Sequence, residues 1–94
     1  IVLGIGEYTS NSHKLTAWPN PAVDQVQINI QGFQDERAML KVFDITGKQV
    51  YQMELGVQSN QRSVSINVND WATGVYSIEV ASDKVSVSSR IQVQ

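Results

Sequence analysis

Apolar and polar residues alternate in short runs along most of the chain, and a period of two predicts β-strands. The clearest run is Gln25–Gln31, in which Val26, Ile28 and Ile30 alternate with amide side chains. No segment carries an apolar stripe at helical spacing. Strands are predicted over seven runs, at 14–18, 25–31, 40–43, 48–55, 62–68, 75–81 and 85–93. Short strands separated by turn signals at this spacing favour an all-β fold, a seven-stranded antiparallel sandwich of two sheets.

The alternate apolar residues of these strands form the predicted core. They are Val26, Ile28, Ile30, Leu40, Val42, Val64, Ile66, Val68, Tyr76, Ile78, Val80, Val85, Val87, Ile91 and Val93. Ser89 interrupts the apolar face of the last run.

The segment Leu40–Tyr51 is predicted to be the central hairpin of the domain. Asp44 is placed to accept a hydrogen bond from the backbone two residues further on. Gly47 is placed to take the left-handed conformation that closes a type I turn with a bulge. Turn chemistry therefore accounts for both residues.

The connections between strands divide into rigid corners and polar loops. Pro19 and Pro21 fix two backbone angles and remove two donors, so the segment around Asn20 is predicted to be a rigid corner. Residues 32–37 and 56–61 are predicted to be polar loops. A further corner is predicted at residues 69–74, and a turn at 82–84.

The aromatic residues allow two interpretations. Tyr76 follows Thr73-Gly74-Val75 and resembles a tyrosine corner, whose hydroxyl bonds back to the preceding loop. Trp18 and Trp71 are interpreted as plugs that fill the ends of the sandwich. The alternative is a sugar-binding platform, in which exposed rings stack on the ligand.

Length and composition indicate one domain that belongs to a longer protein. The chain has 94 residues, begins at Ile1 without Met and is interpreted as a fragment. Residues 1–13 are predicted to be a connector and residues 14–94 the domain; an edge strand around Val2, Leu3 and Ile5 is the alternative. The opening apolar run is short and no basic region precedes it, so it is not a signal peptide. No apolar run approaches the length that spans a bilayer.

Charge and cysteine content exclude several kinds of site. The formal net charge is -2 and no basic patch is visible, which disfavours nucleic-acid binding. The chain has no cysteine, so it has neither a disulfide framework nor a thiolate zinc site.

Few residues are candidates for catalysis, and none is convincing. His13 is the only histidine and is interpreted as a solvated loop residue, since a Ser-His-Asp arrangement needs a rigid surrounding. Asp35 and Glu36 are too sparse for a calcium site. No glycine-rich phosphate loop is present. The sequence therefore predicts no enzyme activity, no cofactor and no metal.

Three motifs in order suggest a family. They are a Trp-Pro-Asn-Pro box, a V-x-D-x-x-G-K hairpin in which Phe43 precedes the aspartate, and a W-x-x-G-V-Y box. The residues that carry them are Trp18, Pro19, Asn20, Pro21, Asp44, Gly47, Lys48, Trp71, Gly74 and Tyr76. Over about residues 14–93 this arrangement resembles the type A C-terminal sorting domain of type IX secretion system cargo of the Bacteroidetes. Trp18 stands where that family usually has Tyr, and Trp71 where it usually has Leu.

The resemblance implies an Ig-like sandwich that acts as an address and not as a catalyst. Its implied partners are the type IX translocon, the associated shuttle and sortase proteins, and an upstream cargo domain. It implies no nucleic acid and no membrane insertion. The cargo would be found in the periplasm in transit and then at the cell surface or outside the cell. A sortase cut would fall in or before residues 1–13.

The last predicted strand is the candidate docking edge for the translocon. Its residues Val87, Ser89, Arg90, Ile91 and Val93 are the predicted recognition residues, and Arg90 is interpreted as the substitute for a lysine common in the family's tail. An unpaired edge strand would also permit a weak homodimer. The remaining alternatives are a carbohydrate-binding module and a passive spacer module of a secreted enzyme.

Overall fold

A computed structural model describes residues 13–58 and 61–94, and these residues contain seven β-strands in two antiparallel sheets. The strands are β1 (Lys14–Trp18), β2 (Gln25–Gln31), β3 (Arg37–Phe43), β4 (Gln49–Val57), β5 (Gln61–Asn67), β6 (Gly74–Ala81) and β7 (Ser86–Val93). One sheet has the order β1-β2-β5, and the other has the order β4-β3-β6-β7. The predicted all-β sandwich of seven strands is confirmed. The predicted connector lies outside the described residues except for His13, as does the alternative edge strand around Val2.

The two sheets enclose one apolar core, because each strand turns alternate side chains inward. From β2 these are Val26, Ile28 and Ile30, and from β6 they are Ile78 and Val80. All of them are buried, as the alternation predicts. Of the predicted core residues, Val85 is only partly buried and packs against the cluster from the turn before β7.

The segment 32–37 is a correction to the prediction of a polar loop. Phe33 is only 1% exposed and belongs to the core, and Arg37 already opens β3. Gly32 has a φ of 92° and Asp35 has a φ of 63°, so the backbone turns sharply on both sides of Phe33. This loop crosses from one sheet to the other, which brings its single large apolar side chain into the end of the core.

The segment 56–61 is a second correction. β4 continues through Gly56 to Val57, with a bulge where Gly56 adopts a φ of 71°. Gln58 is only 4% exposed and donates from Nε2 to the carbonyl oxygens of Leu55 and Gly56, at 2.8 and 3.0 Å. A glycine that indicates a loop in the sequence is therefore a strand bulge in the fold.

The outer edge of β7 is partly covered by the segment that follows β1. The Ala22 N–H donates to the Gln92 carbonyl at 2.7 Å, and the Gln94 N–H donates to the Ala22 carbonyl at 2.8 Å. Asn20 accepts a hydrogen bond from the Gln92 N–H at 3.0 Å through its side-chain Oδ1. The C-terminal end of β7 therefore has a backbone and side-chain partner on this side.

Candidate functional site

The turn of the central hairpin is closed by the carboxylate of Asp44. Its Oδ1 accepts hydrogen bonds from the Thr46 N–H at 2.9 Å, the Lys48 N–H at 3.0 Å and the Thr46 hydroxyl at 2.6 Å. The Thr46 hydroxyl bond, followed by the Lys48 backbone bond, lowers the pKa of Asp44 below its ordinary value. Gly47 has a φ of 90° and donates its N–H to the Asp44 carbonyl at 3.0 Å. The predicted turn chemistry of both residues is confirmed.

The third motif forms the predicted tyrosine corner. The Tyr76 hydroxyl donates to the Ala72 carbonyl at 2.6 Å. Trp71 packs beside it, with ring centroids 5.0 Å apart, and its ring also lies 6.1 Å from that of Tyr51. Trp71 is half-buried against the core, as an aromatic plug is expected to be.

Trp18 does not fill the end of the sandwich, and the plug interpretation is wrong for this residue. Its side chain is 47% exposed, because β1 turns Leu15 and Ala17 toward the core and therefore directs Trp18 outward. Within the Trp-Pro-Asn-Pro box, Asn20 connects the corner to β7 through its hydrogen bond to Gln92.

The three motifs thus belong to one folded unit, and a comparison with protein families identifies it. Residues 16–94 match the family described as the secretion system C-terminal sorting domain. The chain belongs to this family. Its members are sorting signals without catalytic activity, and this domain directs secretion of the cargo to which it is joined. The cargo is therefore a secreted protein that crosses the outer membrane, and the domain acts with the secretion machinery.

A solved structure confirms the Ig-like architecture of the sorting domain. The fold is similar to a crystal structure of a DUF3244 family protein from Bacteroides vulgatus, described as an immunoglobulin-like β-sandwich. The TM-score is 0.58 at 15% identity, over 87% of this chain and 96% of that one. This likeness concerns the fold alone. A search of curated proteins found no match.

The predicted recognition residues of the sorting domain fall into two groups. Val87, Ile91 and Val93 are at most 2% exposed, so a partner that binds the folded domain does not reach their side chains. Ser89 is half-buried and Arg90 is exposed. Whether these residues are recognised stays a prediction, but Arg90 is the member of the set whose side chain a partner contacts most readily.

Arg90 borders a cleft at the hairpin end of the four-stranded sheet. The cleft, of about 410 Å³, is named here the Arg90 cleft, and it is lined by Asp44, Ile45, Val75, Tyr76, Ser77 and Arg90. Among residues 13–58 and 61–94, Arg90 forms no ion pair. Ile45 is 81% exposed and Val75 is 40% exposed, although both are apolar.

Sequence reasoning missed the part that Ile45 and Val75 play in this surface. A signal was present, because Ile45 is an apolar residue inside a turn segment whose other members are polar or glycine. Turn positions favour Gly, Asn, Asp and Ser for backbone reasons, and isoleucine brings none of those advantages.

His13 is a further correction, because it is not a solvated loop residue. Its side chain is 13% exposed, its Nε2 lies 3.1 Å from Oε2 of Glu36, and its ring meets Phe33 edge-on at 4.6 Å. The Ser82 hydroxyl donates to the other oxygen of Glu36 at 2.6 Å. This bond and the one from His13 lower the pKa of Glu36. Since both donors meet on the carboxylate, the arrangement holds β1 to the β6–β7 turn and does not activate Ser82 as a nucleophile.

Neither a cluster of metal ligands nor a membrane-spanning helix is found in the described part of the chain. Within residues 13–58 and 61–94, no group of three or more His, Asp or Glu side chains is placed to hold a metal ion. The same residues contain no helix of the length and apolar character that crosses a bilayer.

Proposed function

We propose that the secretion machinery recognises the outer surface of the folded sandwich and carries the cargo joined to it. The residues of the family motifs support this, because several of them bond their own domain. Asp44 closes the hairpin turn, Asn20 binds the backbone of β7, and Tyr76 binds the loop before β6. Side chains committed in this way specify the fold. A partner reads the surface that the fold presents.

The proposed contact is the Arg90 cleft. Ile45 and Val75 offer apolar surface, and Arg90 offers a cation that forms no ion pair with a described carboxylate. Interfaces between proteins combine such an apolar centre with complementary charge. The complementary partner is therefore a protein surface with an apolar contact and a carboxylate. The exposure of Ile45 is the observation on which this assignment mainly rests.

A secretion assay with point variants tests the assignment. Residues 1–94 are fused to a periplasmic reporter in a host that has the type IX system, and reporter outside the cell is measured. Ile45→Ser and Arg90→Gln are expected to leave the reporter in the periplasm without changing the melting temperature of the domain.

The chain supplies matched controls for this experiment. Arg37 and Val57 are paired across β3 and β4 at the opposite end of the same sheet, and Val57 is 59% exposed. Arg37→Gln and Val57→Ser are expected to be secreted normally. Normal secretion of both Ile45→Ser and Arg90→Gln would remove the Arg90 cleft from the proposal, and equal retention of all four variants would show a general surface effect.

Deletion of residues 89–94 is a weaker test, because it removes core residues. Ile91 and Val93 are buried, and Gln92 bonds to both Asn20 and Ala22. The shortened domain is expected to lose its fold, and its cargo to remain in the periplasm. Normal secretion of the truncated cargo would contradict any role of the folded domain.

Strand β7 is the proposed docking edge, since it is the last strand of the sheet β4-β3-β6-β7. It borders the Arg90 cleft, and an edge strand offers backbone groups to an added strand of the translocon. The same edge in a second copy of the domain would give the weak homodimer. Sedimentation across a concentration series measures this, and a monomer at every concentration argues against the homodimer.

The proposal extends to processing and destination. The translocon acts with the shuttle and sortase proteins, the sortase cuts in or before residues 1–13, and the cargo is attached to the cell surface or released. Mass spectrometry of secreted reporter is expected to show that it has lost residues 14–94. Secreted reporter that retains the whole domain would contradict the cut.

A further inference from the structure

The outer face of the β1-β2-β5 sheet carries uncharged polar side chains and one exposed tryptophan. Six of its members are Trp18 from β1, Gln25, Gln27 and Asn29 from β2, and Ser63 and Ser65 from β5. This set is named the amide face. None of its six side chains carries a charge; Lys14 lies at one end of β1, and Asp24 precedes β2.

Trp18 supplies the apolar element of the amide face. Its ring is 47% exposed, and it lies directly opposite Gln27 in the strand register. Side chains paired in this way have Cβ atoms about 5 Å apart, and the Gln27 amide itself is directed to the other side of β2, where it bonds to Ser65. A cleft of about 460 Å³ adjoins the ring, lined by Gln25, Gln27 and the residues Pro19, Val23 and Asp24.

The polar groups of the amide face are held in place by one another. Gln27 Nε2 donates to Gln25 Oε1 and to Ser65 Oγ, both at 3.2 Å, and the Ser65 hydroxyl donates to Gln25 at 3.4 Å. A carboxamide has two donors and an accepting oxygen, so each glutamine retains hydrogen-bonding capacity after these contacts. Groups ordered before binding lose less entropy when a ligand arrives.

We propose that the amide face binds an uncharged glycan, with one sugar ring stacked on Trp18 and its hydroxyls bonded by Gln25 and Gln27. A pyranose presents an apolar C–H face and a rim of hydroxyls that both donate and accept. The exposed indole matches the first and the amides match the second. None of the six members is a cation and the carboxylate of Asp24 lines the adjoining cleft, which favours a neutral sugar over an acidic one. The site lies on the sheet opposite the Arg90 cleft and does not depend on the sorting function.

Affinity electrophoresis measures this binding. The whole chain, residues 1–94, is run in native gels that contain hydroxyethyl cellulose, arabinoxylan, galactomannan or dextran, and in a gel that contains acidic alginate. We expect retardation in at least one neutral gel and none in alginate. Covering the exposed half of an indole predicts that Trp18→Ala weakens binding about tenfold or more.

Two further variants separate the site from a general effect. Gln27→Ala is expected to weaken binding, whereas Gln52→Ala, an exposed glutamine on the other sheet, is expected to leave it unchanged. Trp18 is outside the core, so Trp18→Ala is expected to stay folded, with a melting temperature lowered by no more than roughly 4–8 °C. The proposal is overturned if no neutral gel retards the chain, if only alginate does, or if Trp18→Ala binds as tightly as the unaltered chain.

Discussion

Replacing Phe33 tests whether residues 32–37 form a solvated polar loop or a loop that is anchored in the core by Phe33. The side chain is 1% exposed and its ring contacts His13. Truncating a fully buried phenylalanine to alanine costs about 3–5 kcal/mol of unfolding free energy, since it removes apolar contact and leaves a cavity. For 94 residues the whole unfolding free energy is about 5–14 kcal/mol. Phe33→Ala is therefore expected to leave the domain marginally stable.

The second phenylalanine of the chain is the matched control. Phe43 lies on the outer face of β3 and is half-buried, so Phe43→Ala is expected to cost about 1 kcal/mol. Urea unfolding followed by tryptophan fluorescence measures both variants. With the usual slope for a small domain, the difference between them corresponds to midpoints about 1–2 M apart.

The result that refutes this reasoning is a common midpoint for Phe33→Ala and Phe43→Ala, which would mean that residues 32–37 are solvated. If Phe33→Ala does not fold, Phe33→Leu keeps the test open. It retains most of the buried volume, and its expected cost is about 1–1.5 kcal/mol. Phe33→Leu as stable as the unaltered chain would also contradict the burial of the ring.

Three further predictions concern the motif residues. Tyr76→Phe removes one hydroxyl and is expected to lower the unfolding free energy by about 1 kcal/mol, which corresponds to a fall in melting temperature of roughly 4–8 °C. Tyr51→Phe is the control and is expected to change neither quantity. Equal melting curves for the two variants would contradict the tyrosine corner. The lowered pKa of Asp44 predicts that its contribution to stability is complete above the ordinary aspartate pKa and is lost as the pH falls through the lower pKa of the folded state. Asp44→Asn is expected to flatten that part of a curve of urea midpoint against pH. An unchanged curve would contradict a contribution of Asp44 to stability. Gly47→Val places a branched side chain at a φ of 90° and is expected to lower the unfolding free energy by about 1–3 kcal/mol. Secretion is expected to fall because less of the domain is folded. A fully folded but unsecreted variant would show that the turn itself is recognised.

The strands could be predicted because alternation is a local signal. The run Gln25–Gln31 and the first strand Lys14–Trp18 have the predicted bounds, and the turn at Asp44 follows from the residues within it. Antiparallel sheets with one solvated face produce this pattern directly. No contact distant in sequence is needed to read it.

Other features depend on contacts distant in sequence and could not be predicted in this way. Phe33 is one apolar residue in a polar segment, and its burial follows from the crossing between sheets. His13 is held by Glu36, which is 23 residues away. Trp18 illustrates the opposite error: an aromatic residue suggests burial, but its place in the register of β1 directs it to solvent. The Arg90 cleft joins a turn to two strands, and only the folded chain brings them together.

The position of the motifs explains why the proposed recognition surface forms only when the whole domain is folded. Asn20 and Gln92, joined by a hydrogen bond, are 72 residues apart in the chain, and Ile91 and Val93 on either side of Gln92 lie in the core. The first motif therefore has its partner only when β7 is in place. Small single domains unfold as cooperative units, so loss of either end removes the entire surface, including the Arg90 cleft. A partner that binds the Arg90 cleft consequently selects complete, folded domains. It does so without contacting any residue of the Trp-Pro-Asn-Pro motif.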